Sequence, residues 1–217
     1  MTARRRRGLW LAAAGVAALV LLRRRSSSVE ADAWGDGWVF PVPDLRLEGD
    51  TAVVTYPAVA SQEMKPEHHG LDIMYPRKRD VDRDRFPPGR LDALGAKQHA
   101  EFFAPPSTPI LAAKDGIVWS VAHTPHGIAV VLDHSPEKWA TFYQHLSTTS
   151  LVNPTSNGKP LQRVKAGDVI GTMGFSPLDG ERLRHLHFEA WSTRTGISEP
   201  QDPRTVLDRF GRQTWRT

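Results

Sequence analysis

The sequence predicts a mainly β domain of antiparallel strands, preceded by a short hydrophobic N-terminal helix. Three observations carry this. From Trp38 onward, short runs rich in Val, Ile, Tyr, Trp and Phe are broken by Gly, Pro and Asp. Turn residues recur at short spacing there, and no long stretch holds a convincing 3.6-residue apolar period. One uncharged apolar run, residues 8–22 (GLWLAAAGVAALVLL), stands apart between two arginine clusters.

That run sets the first boundary. As a helix its 15 residues span about 22 Å at 1.5 Å per residue, short against a hydrocarbon core of about 30 Å. Arg4 to Arg7 and Arg23 to Arg25 flank it, and snorkelling of their long side chains closes part of the gap. Arginines directly after the run are unusual in a cleavable signal, so residues 1–25 are read as cytoplasmic arginines plus a membrane anchor in preference to a removed signal. Four arginines before the run against three after it favour a cytoplasmic N-terminus, which places the remainder on the extracytoplasmic side. Residues 26–37, rich in Ser, Ala, Asp and Gly, read as a linker. The body of the protein is then residues 38–217.

Charge narrows the function classes. The 217 residues carry 28 Lys plus Arg and 24 Asp plus Glu, a formal net charge of +4. Seven of the basic residues lie in the first 25 positions, and no acid does; without them 21 basic face 24 acidic residues, a net charge of −3. A nucleic-acid partner is not expected, because phosphate neutralisation needs a basic face on the folded part. The chain has no cysteine. That excludes disulfides, a thiolate nucleophile, a cysteine-held zinc or iron–sulfur site and the acylated cysteine of a lipoprotein. Any metal must be held by His and carboxylates.

Within the body, strands are expected over residues 52–56, 110–113, 116–122, 128–133, 139–145, 168–173 and 185–191. Residues 76–109 interrupt this rhythm with alternating charge and a Pro105-Pro106 pair. A segment of that length inside a compact domain is an insertion, either solvated or a lid; residues 92–102 could form a short helix within it. Asp202-Pro203 is placed to start a last short helix over residues 204–210.

Nine histidines carry the chemistry. In His68-His69-Gly70-Leu71-Asp72 an imidazole and a carboxylate four residues apart flank a glycine, read as permitting a tight backbone turn, so that both can reach one ion. In Tyr143-Gln144-His145-Leu146, at the end of an apolar strand, the two-residue period puts Tyr143 and His145 on one face. In His185-Leu186-His187-Phe188-Glu189 the same period sends His185, His187 and Glu189 one way and Leu186 and Phe188 the other. Each cluster alone is weak: random placement gives roughly 0.6 His-x-x-x-Asp pairs and roughly 0.4 His-x-His pairs in a chain of this composition. Their conjunction, each beside a β segment, carries the weight. His69, His99, His123, His126 and His134 read as exposed or locally hydrogen-bonded residues.

In that order, His68-x-Gly70-x-Asp72, Tyr143-x-His145-Leu146 and His185-Leu186-His187-Phe188-Glu189 resemble the signature of the LytM/lysostaphin-type zinc metalloendopeptidases. Residues 109–118 (PILAAKDGIV) and 164–174 (VKAGDVIGTMG) resemble the family's strand-turn-strand and glycine-punctuated hairpin, and the likeness runs from about Trp38 to Phe210. Phe175-Ser176-Pro177 and Leu183-Arg184, before the last motif, depart from the family's usual Thr-Gly and Gly-Pro, and the insertion at 76–109 is longer than its usual link. The resemblance implies antiparallel sheets forming an open groove, the duplicated hybrid motif fold. It also implies a Zn2+ cofactor, peptide stems or cross-bridges of bacterial peptidoglycan as substrate, and a place in the cell envelope.

A catalytic zinc needs three protein ligands and an open position. His68, Asp72 and one histidine of the His185/His187 pair supply such a set, and spacing leaves open which. The family pattern assigns metal binding to His68, Asp72 and His187 and catalysis to His145 and His185, one taking the proton of a metal-activated water and the other stabilising the oxyanion and leaving amine. Glu189 is left outside the ligand set, and Tyr143 is read as a groove wall or a hydroxyl near the site. The alternative is a non-catalytic regulator or binding domain of the same fold that activates another cell-wall hydrolase.

Overall fold

The computed structural model describes residues 37–48, 53–61, 69–76, 102–154, 161–176, 184–192 and 199–201. Among them are thirteen strands and no helix. The helices expected at residues 8–22 and 204–210 lie outside the described residues. So does the one expected at 92–102, except for its last residue, Phe102, which is in a strand. No helix among the described residues is long and apolar enough to cross a membrane.

The strands are β1 (Leu45–Glu48), β2 (Val53–Tyr56), β3 (Val59–Ser61), β4 (Leu71–Pro76), β5 (Phe102–Phe103), β6 (Pro109–Leu111), β7 (Gly116–Thr124), β8 (Gly127–Asp133), β9 (Trp139–Thr148), β10 (Arg163–Val164), β11 (Val169–Met173), β12 (Leu186–Ser192) and β13 (Glu199–Pro200). Every pairing is antiparallel. β1 and β2 form a hairpin in which Leu45 and Leu47 are partly buried while Arg46 and Glu48 face solvent. The remaining eleven strands form one curled sheet, ordered β10-β7-β8-β9-β12-β4-β3, with β11 joining β9 to β6, β13 on β12 and β5 on β4.

Hydrophobic residues explain why these segments pair. Tyr143 of β9 and Phe188 of β12 stand opposite each other and are fully buried, their rings 5.3 Å apart. Leu71, Ile73 and Tyr75 of β4 enter the same core. Full burial of a side chain of this size stabilises by about 1.5–3 kcal/mol.

The predicted insertion is partly built into that core. Tyr75 and Pro76 pair with Phe103 and Phe102, so residues from both ends of the expected insertion are neighbours in the sheet. Phe103 is fully buried with its ring edge-on to Tyr56 at 5.1 Å.

One strand organises the site. Up to Gln144, β9 lies between β8 and β12; from Leu146 onward its partner on the β12 side becomes β11. The two neighbours diverge at His145, which has a φ of 68° and sits where the β8–β9 register slips by one residue. This is a β-bulge, a device that re-aims a side chain and bends its strand.

Candidate active site

The site is built on β4, β9 and β12. Asp72 of β4 stands directly opposite His187 of β12, and His187 stands opposite Gln144 of β9. Cross-strand partners project to the same face with β-carbons about 4.5–5.5 Å apart. Asp72 Oδ1 accordingly lies 3.3 Å from His187 Nδ1 and 3.8 Å from His185 Nε2. Along β12 the expected alternation holds. Leu186 and Phe188 enter the core, while the other face carries His187 and Glu189, joined by a 2.7 Å hydrogen bond from His187 Nε2–H to Glu189 Oε1. Glu189 Oε2 accepts from Trp191 Nε1–H at 2.5 Å, which holds the carboxylate in place.

His145 reaches the same face, but not by the period of two. Tyr143 and His145 do not share a face: the bulge at His145 breaks the alternation. Tyr143 points into the core, where its hydroxyl accepts from Ala113 N–H at 2.8 Å, and is neither a groove wall nor a hydroxyl at the site. His145 turns toward His187 of β12 and His185 just before it, its ring centre 4.6 Å from that of His185 and 6.0 Å from that of His187. All three imidazoles are at least nine-tenths buried.

Two glycines make room for this cluster. A β-carbon on Gly70 would stand 2.5 Å from Cε1 and 2.6 Å from Nε2 of His187. The chain does bend at Gly70, directly before β4, but without a positive φ; the ring packed against it is what requires glycine there. A β-carbon on Gly174 would stand 2.6 Å from the carbonyl oxygen of His145. Gly174 N–H donates to that oxygen at 2.6 Å, and Gly174 O accepts from His185 N–H at 3.2 Å, so one glycine ties the backbones of both histidines together.

Electrostatics separates the imidazoles. Burial, then the neighbouring His185, pushes His145 down to about 4, so it is neutral near pH 7. Its Nδ1–H donates to the carbonyl of His126 at 2.7 Å. This hydrogen bond fixes the tautomer and leaves the lone pair on Nε2. His187 behaves oppositely. Burial disfavours its charge, but the hydrogen bonds to Asp72 and Glu189 and the charges of those carboxylates outweigh it and raise it to about 9. Two carboxylates around one imidazole make this a place that favours a cation.

That cation can be a metal. Two donors each about 2.0–2.1 Å from a tetrahedral zinc stand about 3.3 Å apart, and Asp72 Oδ1 and His187 Nδ1 have that separation. With Nε2–H committed to Glu189, Nδ1 is the nitrogen left to share a lone pair, the orientation a supporting carboxylate gives a metal-bound histidine. Among the described residues no group of three or more such side chains is arranged to hold a metal ion. His68, the third expected ligand, lies outside the described residues.

The other histidines divide. His69 and His123 are exposed, and His99 lies outside the described residues. His134 is buried and locally satisfied, with Nδ1–H donating to Asp115 O and Nε2 paired with Thr141 Oγ1, both at 2.8 Å. His126 is the residue the sequence reading missed. It serves His145 through a backbone carbonyl, which no residue-type pattern can reveal, although its place in a short turn before an apolar strand was visible.

Residues 96–203 match the family described as Peptidase family M23. That span contains His145, His185 and His187 and excludes Asp72, which strand pairing brings in from β4. Over 107 residues the chain is 34% identical to a protein named cell division protein DipM from Caulobacter vibrioides, covering 49% of this chain and only 16% of that protein. Among solved structures, the catalytic domain of the antimicrobial peptidase lysostaphin from Staphylococcus simulans is 25% identical, with 49% of this chain and 75% of that one covered at a TM-score of 0.38. A zinc-containing peptidase from Vibrio cholerae is 20% identical over 74% of this chain and 37% of that one, at a TM-score of 0.42. The chain carries a Peptidase family M23 domain.

Proposed function

We propose that this chain is a zinc-dependent endopeptidase that hydrolyses the peptide cross-links of bacterial peptidoglycan, tethered through its N-terminal segment to the membrane with the domain on the extracytoplasmic side. The observation that carries the reading is the convergence of Asp72, His187, His185 and a bulge-directed His145 on one face of the sheet, within a peptidase-family domain.

His68, Asp72 and His187 are the residues that would hold the metal. When bound, zinc lowers the pKa of its water to about 7 and polarises the scissile carbonyl. The remaining chemistry belongs to the chain. His145, neutral and with its lone pair on Nε2, accepts a proton from the attacking water. His185, beside it and 3.8 Å from Asp72, donates a hydrogen bond to the developing oxyanion, and the proton taken up by His145 passes to the leaving amine, which His185 helps to stabilise. Glu189 holds the His187 ring with Nδ1 toward Asp72. Burial of the cluster excludes bulk water and strengthens each of these interactions.

The test is digestion of purified peptidoglycan by the full chain loaded with zinc, followed by mass spectrometry of the products. New peptide termini at a defined cross-link are expected. Intact muropeptides would overturn the catalytic reading. The second reading, a non-catalytic domain that activates another hydrolase, draws on the likeness to a protein named for cell division. It predicts intact muropeptides with this chain alone and faster cleavage when it is added to a second hydrolase.

A further inference from the structure

His145 is held by more than the strand it belongs to. The tip of the β7–β8 hairpin, Pro125-His126, lies against it: His126 O accepts from His145 Nδ1–H, and Gly127 packs so close to His145 Cα that a β-carbon there would stand 3.2 Å away. On another side, Gly174 N–H donates to His145 O. Two residues beyond Gly174, the fully buried Ser176 joins its Oγ to His126 Nδ1 in a 3.0 Å hydrogen bond. The hairpin tip and the segment leading to His185 thus meet each other as well as His145. The tip is braced from within, since His126 N–H donates to Thr124 Oγ1 at 3.1 Å and Thr124 Oγ1–H donates to Gly127 O at 2.8 Å. The His126 ring and Ser176 thus bond directly across these two walls.

We propose that His126 and Ser176 form a positioning pair: their hydrogen bond fixes the hairpin tip against the segment before His185, so that the His126 carbonyl selects the Nδ1–H tautomer and ring plane of His145. The proposal rests on the reading of His145 as the proton acceptor, for which the lone pair must lie on Nε2. In this account the pair holds neither metal nor substrate, and it acts through the hairpin. Without the bond the tip moves relative to His145, the Nδ1–H loses its acceptor for part of the time, and the Nε2–H tautomer, useless as a base, becomes populated. Neutral imidazole has two tautomers, and the partner of one nitrogen decides which is present.

The experiment compares the full-length chain with His126→Ala, Ser176→Ala and His126→Asn, the last keeping a polar atom near the position of Nδ1. Histidine 15N spectra report the tautomer of each ring, with His145 assigned by its absence in His145→Gln. Zinc content, kcat and KM on peptidoglycan are measured on the same samples. The wild type is expected to show the Nδ1–H tautomer at residue 145. Both alanine variants are expected to lose that uniform pattern and to lower kcat on the order of tenfold, the effect of one well-placed hydrogen bond, with zinc content and KM unchanged. His126→Asn is expected to recover most of both. Wild-type tautomer and kcat in the two alanine variants would overturn the proposal, as would an effect confined to KM or zinc content. If the wild type cleaves nothing, or His145→Ala turns over normally, the catalytic reading of His145 fails, and the spectra alone then support or overturn the positioning role.

Discussion

Replacing Gly70 by Ala probes the proposed metal site without touching a ligand. The added β-carbon would lie 2.5 Å from His187 Cε1 and 2.6 Å from its Nε2, where ordinary contact begins at 3.4 Å. The ring must therefore retreat by roughly 0.9 Å, and it has little freedom to do so. His187 is buried, with Nδ1 on Asp72 and Nε2 on Glu189. A third contact of the new methyl, to Phe188 O at 3.0 Å, limits its movement toward the β12 backbone. The displaced ring misaligns Nδ1 and stretches its bond to Glu189, and loss of such a supporting contact typically weakens metal affinity by about 10–100-fold. Competition with a chromophoric chelator would measure the change, and thermal denaturation would report the fold. Gly167→Ala is the control, since Gly167 has a φ of 85° with nothing within 4 Å: it should lower stability by about 1 kcal/mol and leave zinc affinity alone. A Gly70→Ala protein that binds zinc like the wild type would refute the steric argument.

Three further predictions follow from single contacts. Glu189→Gln weakens the hold on His187 Nε2–H and should reduce zinc affinity about 10–100-fold, read by the same competition, whereas a change under twofold would remove Glu189 from the site. Tyr143→Phe strips the acceptor from the buried Ala113 N–H and should cost about 1–3 kcal/mol in denaturant unfolding, without altering zinc content. Burial holds His134 below its ordinary 6.5, so the unfolded chain takes up a proton there first as pH falls. The stability from the neutral native ring is full above about 6.5 and declines below it; unfolding midpoints at pH 7.5 and 5.5 should diverge more in the wild type than in His134→Gln.

Much of this arrangement was legible in residue order, and the exceptions have physical causes. The alternation of His185-Leu186-His187-Phe188-Glu189 foretold the two faces of β12, because one face is apolar without interruption and the period is fixed by the pleat. The strands from β6 to β9 announced themselves through β-branched and aromatic runs. β4 was harder to read: Leu71 to Pro76 is buried on nearly every position, so it lacks alternation, and it abuts the charged segment from which β5 returns. The site was misread where backbone geometry overrides pattern. A bulge inserts one residue into the count, so Tyr143 fell into the core while His145 reached the histidines. Gly70 was read as a turn residue, yet what requires glycine there is a ring arriving from a residue 117 positions later in the chain. For His126 the residue type gave no signal, since any residue offers a carbonyl, and only its place in a short turn was visible.

The central claim is that one cation held with Asp72 and His187 powers cleavage of peptidoglycan. The most direct measurement is release of new amino groups from purified peptidoglycan by the full chain, with bound zinc quantified on the same protein, compared with a chelated sample and with His187→Ala. The account predicts about one zinc per chain and amino-group release in the wild type, both lost in His187→Ala, and release restored to the chelated wild type by added zinc. Release that persists in His187→Ala, with no zinc bound, would contradict it.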